Sequence, residues 1–152
     1  GYEKFSPKRI ILDRNLEIRL DRYIFRSIKK NNTILFYSSS DKKKINILKK
    51  KGVILIKSKT GDNSLFNLRK IFKKLYSLGT RNLLIEGGDK ITKYLIKERL
   101  IDIFYLFQSP LILPNSKFNK YFSSLKILNN KYKKKYQVSS QLGKDRITIY
   151  KK

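Results

Sequence analysis

A chain of 152 residues is the length of one domain and can bury a core without staples. It has no cysteine and no histidine, which excludes disulfides, thiolate and imidazole metal ligands, and every nucleophilic mechanism run by a histidine base. Its 37 basic and 11 acidic residues give a formal charge of +26, but the lysines lie in separate groups at Lys42–Lys44, Lys49–Lys51, Lys73-Lys74 and Lys133–Lys135, which reads as solvated surface rather than one nucleic-acid face.

The missing Ala, Met, Trp, Cys and His, beside abundant Lys, Ile, Leu and Asn, point to drift toward AT-rich codons. Such drift raises lysine content without selecting a partner. No apolar run is long enough to span a bilayer, and no apolar stretch follows Gly1-Tyr2-Glu3-Lys4 as an export signal requires. The expected location is the cytoplasm.

Taken in chain order, Arg9–Asp13 is a short apolar run that reads as a buried strand. Thr33–Tyr37 is a second strand. Asp41 then caps a helix running to Lys51, with Ile45 and Leu48 on one face and Gly52 at the C-terminal stop. Val53–Ile56 is the third strand. After the turn at Gly61–Ser64, a helix from Leu65 carries the stripe Leu68, Ile71, Phe72, Leu75 and Leu78, and Gly79 ends it.

Asn82–Ile85 reads as a fourth strand, broken by Glu86-Gly87-Gly88, with a helix from about Asp89 to Arg99 behind it. Ile101–Phe107 is a fifth strand. Ser109-Pro110 and Pro114-Asn115 mark a long loop, and Asn129–Lys135 reads as an exposed loop. Tyr136–Leu142 and Arg146–Tyr150 alternate around Gly143-Lys144 as a closing hairpin. Strands alternating with helices imply an α/β fold with mainly parallel central strands and antiparallel pairing at one side. We expect a single domain over residues 1–152.

In an open α/β sheet, ligands bind beyond the carboxyl ends of the strands. Glu86–Asp89 is such an end. Two glycines permit a sharp turn and close approach of a ligand, and the next helix offers free N–H groups and a positive dipole end to an anion. The same residues also suit a ligand-free connection, with Asp89 as an ordinary N-cap whose charge opposes a neighbouring phosphate. The G-x-G-x-x-G spacing of a dinucleotide fold is absent.

Leu78-Gly79-Thr80-Arg81-Asn82-Leu83-Leu84-Ile85-Glu86-Gly87-Gly88, then Leu95-Ile96 and Leu100-Ile101-Asp102, resembles the C-terminal domain of the bifunctional riboflavin biosynthesis protein. That family shows an LVEGG turn, a short helix, a GLVDE step and an APKLLG segment. Gln108–Pro114 stands in the last position, with Pro114 where the family has glycine. Arg9–Arg14 resembles its RVVLDS strand, and Gly143-Lys144-Asp145 its GxD hairpin.

The resemblance implies a dihydrofolate-reductase-like mixed sheet flanked by helices. It implies NADPH-dependent reduction of 5-amino-6-(5-phosphoribosylamino)uracil to the ribitylamino form, in a homodimer. The family's substrate-binding glutamate falls on Glu86. Its cofactor-contacting residues fall on Gly88, Asp89, Lys90, Ile91, Thr92, Lys93 and Tyr94, and on Arg14 after the first strand. No residue suggests itself as proton donor, and none as a metal ligand. The family's zinc deaminase chemistry is excluded by the missing His and Cys. The family's opening TLKxAxSLDG strand has no counterpart before Arg9, so the domain is expected to be N-terminally incomplete. The competing readings are a basic domain of the same fold that binds nucleic acid, and a related pteridine or folate reductase.

Overall fold

The computed structural model describes residues 6–28, 32–61, 65–111, 122–138 and 143–152. They divide into two units at Arg81/Asn82.

Three parallel strands organise the first unit: β1 (Arg9–Leu12), β2 (Thr33–Tyr37) and β3 (Ile54–Lys57), with β2 in the middle. Ile34 lies opposite both Ile10 and Ile54, and Leu35 opposite both Ile11 and Leu55. The central position explains why all five residues of β2 are buried. Strand β1, expected to be buried, is only half-buried, because it is an edge among the described strands. It also stops at Leu12. The Asp13 carboxylate accepts hydrogen bonds from the backbone N–H of Glu17 and Ile18 (2.9 and 2.8 Å), which turns the chain.

Parallel neighbours require crossover connections. The first passes through a short helix, α1 (Tyr23–Arg26), which sequence periodicity did not reveal. The second is α2 (Lys42–Lys50), capped as expected by Asp41, whose carboxylate accepts from Lys44 N–H at 2.9 Å. Gly52 follows at φ +84°, the left-handed stop that glycine supplies without strain. Leu16, Phe25, Leu35, Tyr37, Leu48 and Val53 form this unit's core.

The helix expected from Leu65 begins later, as α3 (Leu68–Ser77). Phe66 is held in a β-bridge with Thr60, and the Asn67 side chain caps the helix by accepting from Lys70 N–H at 3.1 Å. Leu68, Ile71 and Leu75 are buried along the expected stripe, whereas Leu78 is exposed.

The second unit holds α4 (Asp89–Lys97), β4 (Ile103–Gln108), α5 (Leu125–Lys131), β5 (Lys134–Val138) and β6 (Arg146–Lys151). The strands form an antiparallel sheet in the order β4-β6-β5. The expected closing hairpin is β5 and β6, though its stretch 139–142 lies outside the described residues. Pro114-Asn115, expected in a loop, also lies outside them.

Two further expectations are corrected. Asn82–Ile85 is not a strand: its backbone has no ladder partner among the described residues, and Leu84 stays 85% exposed. A short apolar run favours a buried strand, but only pairing makes one. Asn129–Lys135 is not a loop: α5 runs through Lys131 and β5 starts at Lys134. Leu125, Leu128 and Tyr132, spaced three and four apart, supply the helical stripe that the lysines obscured. Leu128 and Tyr132 enter a core with Ile96 and Tyr150, and the Tyr132 hydroxyl donates to the Ile101 carbonyl at 2.8 Å.

Candidate functional site

The two glycines of the Glu86–Asp89 turn are glycines for different reasons. A Cβ on Gly87 would stand 2.3 Å from Ile91 Cγ2, so the protein's own packing demands glycine there. A Cβ on Gly88 would meet nothing within 4 Å. Gly88 is the N-cap of α4, in extended conformation, and offers no side chain to the helix's amino end.

Asp89 is not the cap expected from the sequence. It is the first residue of α4, and its carboxylate accepts hydrogen bonds from the hydroxyls of Ser123 (2.6 Å) and Ser124 (2.8 Å). These two bonds, Ser123's first and with help from the nearby Lys93 charge, hold the Asp89 carboxyl below its ordinary 3.8. The aspartate therefore ties the start of α4 to the residues preceding α5. A fixed anion remains beside the helix end, while the helix dipole and the first-turn N–H groups still face outward without a side-chain cap.

The Glu86 carboxylate is exposed, and among the described residues it has no hydrogen-bond partner. Lys90 is exposed; Ile91, Thr92, Lys93 and Tyr94 are half-buried, and Leu95 and Ile96 anchor the helix below them. One turn and one helix thus bring together Glu86 and Gly88–Tyr94.

Arg14 belongs to the other unit, just beyond the end of β1. Its Nε donates to Asn15 Oδ1 at 3.0 Å. Its carbonyl accepts from Ser38 and Ser39 N–H at 2.9 and 3.0 Å, which fastens the carboxyl end of β1 to that of β2. The Ser39 hydroxyl in turn accepts from Asp41 N–H at 3.1 Å, ahead of α2. Sequence reasoning passed over this second polar strand end. The signal was present, as three serines directly behind the apolar run Ile34–Tyr37. No group of three or more acidic side chains among the described residues is placed to hold a metal. No described helix is long and apolar enough to cross a membrane.

Comparison with known proteins places the chain in a family. The family model for the RibD C-terminal domain matches residues 2–146. The riboflavin biosynthesis protein RibD of Aquifex aeolicus is 32% identical over 108 residues, which is 71% of this chain and 28% of that protein. The chain therefore spans little more than a quarter of that relative's length. Structures of Acinetobacter baumannii RibD, forms 1 and 2, align over 95% of this chain and 37% of theirs, each with TM-score 0.63 and 22% identity. A pyrimidine reductase-like protein from Corynebacterium diphtheriae aligns over 95% of this chain and 60% of its own, with TM-score 0.67 and 18% identity. The structural likeness establishes the fold, the dihydrofolate-reductase-like α/β architecture expected from the sequence.

Proposed function

The chain belongs to the RibD C-terminal domain family, and we propose from that membership that it is an NADPH-dependent reductase domain of riboflavin biosynthesis, acting on 5-amino-6-(5-phosphoribosylamino)uracil. The observation that carries the proposal is the Glu86–Asp89 turn: a free carboxylate, an open glycine, and an uncapped helix end in direct succession.

These residues fit the cofactor. The space over Gly88 admits a close ligand, and the amino end of α4, nine residues long, suits a phosphate. Lys90 and Lys93 add positive charge, offset in part by Asp89. NADPH, when bound, supplies the hydride that turns a ribosyl into a ribityl group. The chain's own contribution is orientation and electrostatics. The Glu86 carboxylate accepts hydrogen bonds from substrate N–H or hydroxyl groups. Gly88 to Tyr94 would hold the phosphate-bearing part of the cofactor, and the family resemblance also gives Arg14 a cofactor-contacting role. The same reading makes the protein a cytoplasmic homodimer that takes a small phosphoribosyl-pyrimidine.

The test is calorimetric titration of the folded chain with NADPH, with and without the substrate. Glu86→Ala is expected to weaken substrate binding more than cofactor binding. A well-folded chain that binds no NADPH overturns the proposal. So does a Glu86→Ala variant that loses cofactor and keeps substrate.

A further inference from the structure

The core-facing side of the β4-β6-β5 sheet changes character along its length. Phe104 and Tyr150, opposite each other, pack with Leu128 and Tyr132. Alternation with period two puts Thr148, Arg146, Gln108, Gln137 and Lys135 on this same face. The ladder sets Thr148 between Leu106 and Gln137, Arg146 opposite Gln108, and Lys135 opposite Tyr150. An apolar core surface thus gives way, within one sheet face, to a polar and cationic one.

A cavity of about 480 Å³ opens there, lined by these five side chains and by Asn129 of α5, whose amide oxygen accepts from the Tyr150 hydroxyl at 3.1 Å. Thr148 lies buried within it, at 8% exposure. No described acidic residue lines it, and neither Arg146 nor Lys135 is engaged by one among the described residues. Two cations, three amides and the Thr148 hydroxyl line it without an anion of the protein's own among the described residues.

We propose that this cavity is a binding site for a small phosphate monoester, separate from the Glu86–Tyr94 turn and independent of the reductase reading. Arg146 offers a planar fork to phosphate oxygens and Lys135 a point charge, a combination that matches a dianion. Gln108, Gln137 and Thr148 supply neutral hydrogen bonds to the rest of the molecule. The volume of this open cavity is within the roughly 300–1,000 Å³ usual for small-molecule sites. A nucleic-acid strand would instead require a groove continuing across the surface.

The experiment is an NMR titration of the isotope-labelled chain with glycerol phosphate, with glycerol as the uncharged control and a short uridine oligonucleotide as the polymeric one. Saturable shifts are expected at Gln108, Lys135, Gln137 and Arg146, and none of them with glycerol. Arg146→Gln is expected to weaken binding about ten-fold, the effect of one charge-assisted hydrogen bond. Lys50→Gln, the same charge change on exposed α2, is expected to leave it unaltered. Non-saturating shifts spread over surface lysines overturn the proposal. Equal losses in the two variants also overturn it, as does tighter binding of the oligonucleotide at these residues.

Discussion

Substituting Gly87 and Gly88 singly by alanine separates a glycine required by packing from one left open for a ligand. In Gly87→Ala the new methyl would sit 2.3 Å from Ile91 Cγ2, where carbon atoms prefer about 3.5–4.0 Å. Ile91 is β-branched and on a helix, so its χ1 has one strongly preferred value and the methyl does not swing aside freely. Relief must come from the backbone or from an off-rotamer side chain, at about 1–3 kcal/mol. In Gly88→Ala nothing lies within 4 Å, and the loss is that of a poorer N-cap residue, a few tenths to about 1 kcal/mol. Urea unfolding of both variants measures the difference as a shift in midpoint at constant slope. The double variant Gly87→Ala/Ile91→Ala, which removes the obstructing methyl, is expected to cost less than the sum of its single changes. NADPH titration runs the other way: Gly88→Ala is expected to lose at least about ten-fold in affinity if its methyl displaces one charge-assisted contact to a cofactor phosphate. Equal destabilisation by the two alanines refutes the packing argument. Unchanged NADPH affinity in Gly88→Ala refutes a close cofactor approach.

Three further perturbations test the surrounding structure. The Asp89 carboxyl is held below its ordinary 3.8 by Ser123 and Ser124, so its contribution to stability is complete above pH 3.8 and is lost as pH falls through the lower folded value. The stability gap between wild type and Asp89→Asn, read from urea midpoints, should be flat from neutral pH to about 4 and close below it; a gap that widens in acid contradicts this. Tyr132→Phe removes the donor to the Ile101 carbonyl and should cost about 1 kcal/mol. Because burial raises the Tyr132 phenol above its ordinary 10.0, the unfolded chain ionises first, and wild-type stability should fall more steeply above pH 10 than that of Tyr132→Phe. Asn67→Ala removes the cap of α3 and should cost about 1 kcal/mol, with faster amide exchange in the first turn of that helix.

The elements legible in the sequence were those whose evidence is local. β2 needed only the four consecutive apolar residues behind Thr33, α2 only Asp41 and Gly52, and the turn at Glu86 only its glycines behind an apolar run. Helix α5 was hidden because Lys126, Asn129, Asn130 and Lys131 crowd a stripe of only three inward residues. The start of α3 was misplaced because Leu65 fits the helical stripe, while the Thr60–Phe66 bridge that holds the chain out of the helix is a tertiary contact.

The same distinction governs the candidate site. Asp89 satisfies every local criterion for an N-cap, yet hydroxyls 34 and 35 residues away take its carboxylate and leave the capping position to Gly88. That rearrangement changes what the turn is able to bind. An aspartate cap would occupy the first-turn N–H groups with the protein's own anion. An aspartate drawn aside by Ser123 and Ser124 leaves them for another anion while keeping a negative charge nearby. An anion bound there thus depends on the two serines as well as on the glycines. Replacing both serines by alanine would free the carboxylate to return to the helix end, where it would compete with the ligand it now leaves room for.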